Sequence, residues 1–127
     1  MDIPEGLRYT DDHEWLRLEE SDGVVGITAY AAGELGDVVF VELPAVGTRL
    51  TRSQAFGVIE SVKTASDLFS PIAGEIVATN GALADHPELV NDDPYGEGWM
   101  VRLRLDDPAA ADELRDAESY RELIEAA

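Results

Sequence analysis

The sequence predicts a small, mainly β protein: a sandwich or barrel of short strands closed by a C-terminal helix. Three observations carry that expectation. Short apolar runs follow one another along the chain, separated by glycine, proline, asparagine and aspartate turn signals. One run alternates cleanly, with Trp99, Val101, Leu103 and Leu105 on one face and Met100, Arg102 and Arg104 on the other. After Asp107-Pro108 the pattern changes, and Leu114, Ala117, Tyr120 and Ile124 recur at near-helical spacing.

Each element has a local reason. Thr10-Asp11-Asp12 suits a turn or a short helical cap. From Trp15 the chain alternates, which places Leu16 and Leu18 on one face and Trp15 and Arg17 on the other. Ser21-Asp22-Gly23 reads as a hairpin turn, and Val24 to Ile27 as the returning strand. Thr28 can cap a helix over 29–35 that Gly36 stops. The apolar run Val38 to Val41 fits a strand buried on both faces, ended by Pro44. A turn at 46–50 leads to a second short strand. The runs 55–59 and 68–72 flank a polar tip and read as a hairpin. Residues 75–79 alternate as a strand, Asn80-Gly81 is a turn, 82–90 is helical in short pieces, and 91–98 is a loop. In the tail Asp116 is placed to cap a second helical segment. A length of 127 residues fits one domain, with a core over about 9–106 and a helical tail over about 107–127.

Composition narrows the chemistry. With no cysteine, the chain has no disulfide, thiolate or Cys-ligated metal of its own. Its 27 acidic and 9 basic residues give a formal net charge of -18, which repels nucleic acid and anionic membrane surfaces. No apolar run approaches membrane-span length. The acidic start, Met1-Asp2-Ile3-Pro4-Glu5, has no signal-peptide character and fits a bacterial cytoplasm. His13 and His86 lack any metal-ligand spacing and read as structural and surface residues. Asn91-Asp92-Asp93 does not follow the calcium-loop order and reads as a turn before Pro94.

One residue stands apart. Lys63 is the sole lysine; every other cationic side chain is an arginine. Arginine serves wherever a solvated charge suffices, but it cannot replace an amine that must be acylated or deprotonated. Lys63 falls at the tip of the 55–70 hairpin, exposed and held between two strands. From position alone a solvated turn lysine is the commoner case, since turns are usually polar.

The wider sequence resembles a known family. Glu60-Ser61-Val62-Lys63, Ser66-Asp67 and Ser70 to Gly74 are similar to the lipoyl-lysine hairpin of the glycine cleavage system H protein family. The resemblance extends through His13-Glu14-Trp15, Val25 to Thr28, Leu35 to Pro44, Leu89-Val90-Asn91 and Asp93 to Trp99. Gly47, sixteen residues before Lys63, and Gly74, eleven after it, match the wider lipoyl-domain pattern.

The resemblance implies a barrel-sandwich hybrid: two small sheets related by a pseudo-two-fold, with the lysine at a hairpin tip. It implies lipoate in amide linkage to Lys63, with Glu60, Ser61, Val62 and Thr64 as the residues by which a lipoate ligase or lipoyl transferase knows the hairpin. The implied role is that of a non-catalytic shuttle. The pyridoxal-phosphate P protein decarboxylates glycine and loads an aminomethyl group, the T protein passes the carbon to tetrahydrofolate, and the flavoprotein L protein reoxidises the arm. Hard chemistry is delegated to the cofactor, so a carrier needs no cysteine of its own. The resemblance also implies that Glu14 and Asp67 line a cleft for the loaded arm; by composition alone both are solvated turn carboxylates. Position 12 carries Asp12 where some members have serine.

Neighbouring readings are a lipoyl-relay protein that donates lipoate to other enzymes and a lipoyl domain of a 2-oxo acid dehydrogenase. The latter domains are shorter, are tethered by Pro/Ala-rich linkers and lack the Pro94-Tyr95-Gly96-Glu97-Gly98-Trp99 block. A biotin carrier would have methionines where Val62 and Thr64 stand. No Ser-His-Asp order, phosphate loop or metal motif supports an enzyme.

Overall fold

The structure, a computed structural model, describes residues 2–126. It is mainly β: two open antiparallel sheets face each other, with short helices at their ends and one helix at the C-terminus; neither sheet closes into a barrel. The first sheet has six strands: β1 (Arg8–Tyr9), β2 (Glu14–Glu19), β3 (Asp22–Ile27), β5 (Arg49–Leu50), β8 (Gly74–Thr79) and β9 (Val101–Leu105), in the order β1-β2-β3-β9-β8-β5. The second has three: β4 (Val38–Glu42), β6 (Ala55–Ser61) and β7 (Ala65–Phe69), in the order β4-β6-β7.

Neighbouring residues in a strand point to opposite faces, and the six-stranded sheet uses both. Leu16, Val25, Ile76, Met100 and Leu103 pack inward with Ile59 and Leu68 of the second sheet, forming the main core. Trp15 and Val24 point outward and join Ile3, Leu7, Tyr9, Ala117 and Tyr120 in a second cluster beneath the C-terminal helix. Tyr9 and Tyr120 stack there with ring centroids 4.7 Å apart.

Local caps follow the sequence closely. Helix α1 (Ala29–Leu35) begins at Thr28, whose hydroxyl accepts from the Ala31 N–H, and ends at Gly36 with φ 79°, a conformation that suits glycine. Short helix α2 (Ala82–Asp85) lies where a helical piece is predicted, whereas α3 (Leu89–Asp92) carries helix through Asn91 and Asp92, which the sequence pattern assigns to a loop. The tail divides in two: a 3-10 helix (Pro108–Glu113) capped by Asp107, then α4 (Ala117–Glu125) capped by Asp116, whose carboxylate accepts from the Ser119 N–H at 2.9 Å.

Four further expectations change. The first hairpin turns at Glu20-Ser21, where Glu20 takes φ 60°, and Asp22 and Gly23 belong to β3. A Cβ on Gly23 would sit 2.6 Å from Leu16 Cδ1, so a larger residue there would push the buried Leu16 side chain aside. Leu18 does not share the burial of Leu16; it runs past the core and is exposed, while Trp15 on the opposite face is buried. The Val38–Val41 run is not covered on both faces. β4 is an edge strand with a register shift between Val38 and Phe40, and it leaves Val39 and Phe40 about half exposed. Trp99 lies outside β9 and packs half-buried against the outer cluster, whereas Met100 is fully buried in the main core. The cause is Asn80, whose amide donates to the carbonyls of Glu97 and Trp99, both at 2.7 Å, and holds the chain out of strand geometry until Val101. Among the described residues no helix is long and apolar enough to cross a membrane.

Candidate functional site

β6 and β7 form a hairpin in which Ile59 pairs with Ser66 and Glu60 with Ala65. Its tip is fixed by Ser61. The Ser61 N–H donates to the Thr64 carbonyl at 2.7 Å, and the Ser61 hydroxyl accepts from the Thr64 N–H at 3.1 Å. The Val62 N–H donates to the Asp37 carbonyl at 3.0 Å and ties the tip to the segment after α1. This leaves Val62, Lys63 and Thr64 projecting, with Val62 76% exposed. The Lys63 chain passes over Gly36, where a Cβ would stand 3.6 Å from Lys63 Cε. Among the described residues Lys63 forms no ion pair, although most of the arginines do. Of the four hairpin residues flanking Lys63, Glu60, Val62 and Thr64 are exposed, and Ser61 is buried with its hydroxyl engaged in the turn.

A cleft of about 310 Å³ opens beside this hairpin, and its wall includes Glu14, Asp67, Thr64, Asp12, His13 and Glu34. The two acids singled out from the sequence, 53 positions apart, therefore share one cavity with a hairpin-tip residue. They are not alike. Asp67 is exposed on the edge strand β7. Glu14 is only 2% exposed. One of its oxygens accepts from the Thr10 hydroxyl at 2.8 Å and the other from the Phe69 N–H at 3.3 Å. Loss of water around the Glu14 carboxyl pushes its pKa up to about 8, against the pull of those two donors. The Glu14 carboxyl therefore holds its proton to a higher pH than an exposed glutamate does.

His13 shapes the rim. It takes φ 71°, and its Nδ1 is 2.8 Å from the Tyr120 hydroxyl, which in turn is 2.8 Å from Thr28 Oγ1. Its ring packs on Tyr30, with centroids 4.9 Å apart. Burial holds the His13 pKa below the ordinary histidine value. His86 is exposed, with its Nδ1 3.2 Å from the Glu88 carboxylate. Sequence reasoning missed Tyr120 and Thr10 as supports of this rim. Tyr120 carried only the helical spacing of the tail, and Thr10 only its turn preference.

Comparison with known proteins supplies the family. The model for the glycine cleavage H-protein family matches residues 7–127. The chain belongs to the glycine cleavage H-protein family. A glycine cleavage system H protein of Chlorobium limicola is 59% identical over 98% of each chain. A probable glycine cleavage system H protein of Haloarcula marismortui is 50% identical over 98% of each chain. Among solved structures, a glycine cleavage system H protein from Mycobacterium marinum superposes with a TM-score of 0.89 at 38% identity, covering 97% of this chain and 99% of that one. Membership makes this chain a carrier component of the glycine cleavage system.

Proposed function

We propose that this chain is the lipoyl-bearing shuttle that carries an aminomethyl group from the P protein to the T protein and is reset by the L protein, with lipoate in amide linkage to Lys63. The observation that carries the reading is a sole lysine, exposed and outside every ion pair among the described residues, on a hairpin tip of a family member. Relatives matching over nearly their full length are named H proteins, which favours this role over a lipoyl domain of a 2-oxo acid dehydrogenase.

The residues present fit the group. An amide at Nζ needs an accessible amine whose charge is not committed to a carboxylate, and Lys63 offers one. A swinging arm needs a rigid pivot, and the Ser61–Thr64 and Val62–Asp37 bonds supply it. Lipoate, when bound, would supply a disulfide that opens reductively to leave one sulfur free to hold the one-carbon cargo and the other as a thiol. The protein's own part is to present, receive and protect. Glu60, Val62 and Thr64 offer exposed contacts to a lipoate ligase or lipoyl transferase, and Ser61 holds them in register. Asp67 puts an exposed acid on the wall of the adjoining cleft, and Glu14, whose pKa burial raises, can yield its proton there to pair with a cationic amine. A buried ammonium needs such a partner, because its unpaired desolvation is unfavourable. The chain carries out no bond-making step in this scheme; the P, T and L proteins do.

Reconstitution tests the proposal. The lipoylated protein, mixed with P protein and glycine, is expected to support exchange of labelled bicarbonate into the glycine carboxyl. The Lys63→Arg protein, equally folded, is expected to support none. Exchange at the parent rate with Lys63→Arg would overturn the assignment.

A further inference from the structure

We propose that Thr10 is a positioning residue for Glu14: its hydroxyl, with no freedom to do anything but donate, fixes the Glu14 carboxyl in the cleft wall and favours its ionised form. This rests on the reading of the cleft as the site that receives the loaded arm.

The argument is an inventory of lone pairs. A threonine hydroxyl has one proton to give and two lone pairs to accept with. Thr10 Oγ1 accepts from the Asp12 N–H at 3.2 Å and from the Glu14 N–H at 3.1 Å, so both lone pairs are engaged. Its proton can then go only outward, and Glu14 Oε1 lies 2.8 Å away. The Thr10 N–H also donates to the Glu14 carbonyl at 3.0 Å. Thr10 therefore grips Glu14 at its amide, its carbonyl and its carboxyl, and the Glu14 side chain is held in one place. Oε2 has only the longer bond from the Phe69 N–H at 3.3 Å. That leaves it the oxygen with capacity to spare for an incoming cation.

The position of Glu14 makes this grip matter. Glu14 lines two cavities: the hairpin-side cleft and a second one of about 380 Å³ that Thr10 also lines. A carboxyl between two openings could swing toward either, and a donor confined to a single direction holds it. On the hairpin side the charged groups are Asp12, Glu34 and Asp67, with His13 at the rim and the Tyr120 hydroxyl from α4 beyond it. On the other side Arg52 and Arg115 are already paired, with Glu113 at 3.2 Å and Asp11 at 2.6 Å. None of these groups forms a hydrogen bond to the Glu14 carboxyl, so a change at Thr10 acts against a constant background. A hydrogen bond donated to the charged form lowers a carboxyl pKa, and burial opposes it here.

The test is a carbon-13 NMR titration of the Glu14 side-chain carboxyl in the protein expressed without lipoate. Thr10→Val keeps the shape and removes the hydroxyl, and the Glu14 midpoint is expected to rise by about one pH unit. Thr10→Ser restores the donor and should return the midpoint to the parent value, an outcome that a purely structural role for the methyl group would not give. Thr10→Ala serves where the valine does not fold. The parent itself gives a further reading, since the Thr10 Cβ resonance should follow the Glu14 midpoint. An unmoved Glu14 midpoint in a folded hydroxyl-less variant, or a Thr10 Cβ resonance flat through that midpoint, overturns the proposal. The cleft reading is judged separately: if Glu14→Gln leaves the lifetime of the loaded arm unchanged, the cleft reading fails, while the titration still decides whether Thr10 positions Glu14.

Discussion

Glu14→Gln should make the protein more stable as the pH rises, an unusual effect for the loss of a buried charge. Glu14 is 2% exposed and its pKa is pushed up to about 8 from an ordinary 4.5. Between those values the folded protein keeps a proton that the unfolded chain has released. Stability falls wherever the folded state binds more protons, so this group erodes stability as pH climbs from 4.5 to about 8 and the loss levels off above that. At 1.36 kcal/mol per unit, the erosion is about 3 kcal/mol at pH 7 and about 5 kcal/mol above pH 8. Glutamine keeps one acceptor oxygen but sets its NH2 against the second of the two donors, so the variant carries a pH-independent offset from the parent, and the change of the difference with pH is the quantity that reports ionisation. The assay is urea denaturation of both proteins from pH 4.5 to 9, read as a difference. The difference cancels His13, whose lowered pKa acts in the opposite sense, with stability rising as pH climbs toward the unfolded histidine value. A parent-minus-variant difference that stays flat across this range would refute the claim that Glu14 is buried as a neutral acid.

Other consequences are equally direct. Leu103 is fully buried in β9, so Leu103→Ala should cost about 2–5 kcal/mol, read as a fall in the denaturation midpoint. Tyr120→Phe removes the hydroxyl that meets both His13 Nδ1 and Thr28 Oγ1 at 2.8 Å, and should cost about 1–2 kcal/mol, read by the same unfolding measurement. The Glu14→Gln, Asp67→Asn double variant should remain a good substrate for lipoylation yet lose its aminomethyl cargo roughly tenfold faster, because a charge-assisted hydrogen bond is worth on the order of 1.5–3 kcal/mol. Formaldehyde release from the loaded protein, with no T protein present, measures that loss; equal rates for parent and variant would show that neither acid holds the cargo.

Residues whose neighbours lie close in sequence were legible. Thr28 and Gly36 bracket α1 as local rules require, and Asp116 caps α4. Val101, Leu103 and Leu105 alternate because one face of β9 meets the main core. Lys63 announced itself by being the sole lysine on a hairpin tip. The failures share a physical origin in distant contacts. Trp99 continued the alternation on paper, but Asn80, 19 positions away, holds it out of the strand. Val39 and Phe40 belong to an apolar run that looked doubly buried, yet β4 is a bulged edge strand and sheet order is not written in composition. The candidate cleft divides the same way. In so acidic a chain Glu14 and Asp67 look alike; burial by residues distant in sequence sets Glu14 apart, against the pull of the N–H of Phe69, 55 positions away, while Asp67 stays in solvent. The triple grip of Thr10 on Glu14 depends on the conformation of the 10–14 turn, where His13 takes φ 71°.

The central claim is that Lys63 carries the cofactor, and peptide mapping after lipoylation tests it most directly. The protein is treated with a lipoate ligase, lipoate and ATP, weighed intact, digested and sequenced by mass spectrometry. The account predicts a gain of one lipoyl group, found on the peptide containing Lys63 and absent from the Lys63→Arg protein. A protein that takes up no lipoyl group while a known carrier in the same mixture does, or a lipoyl group mapped to the N-terminal amine instead, would contradict it.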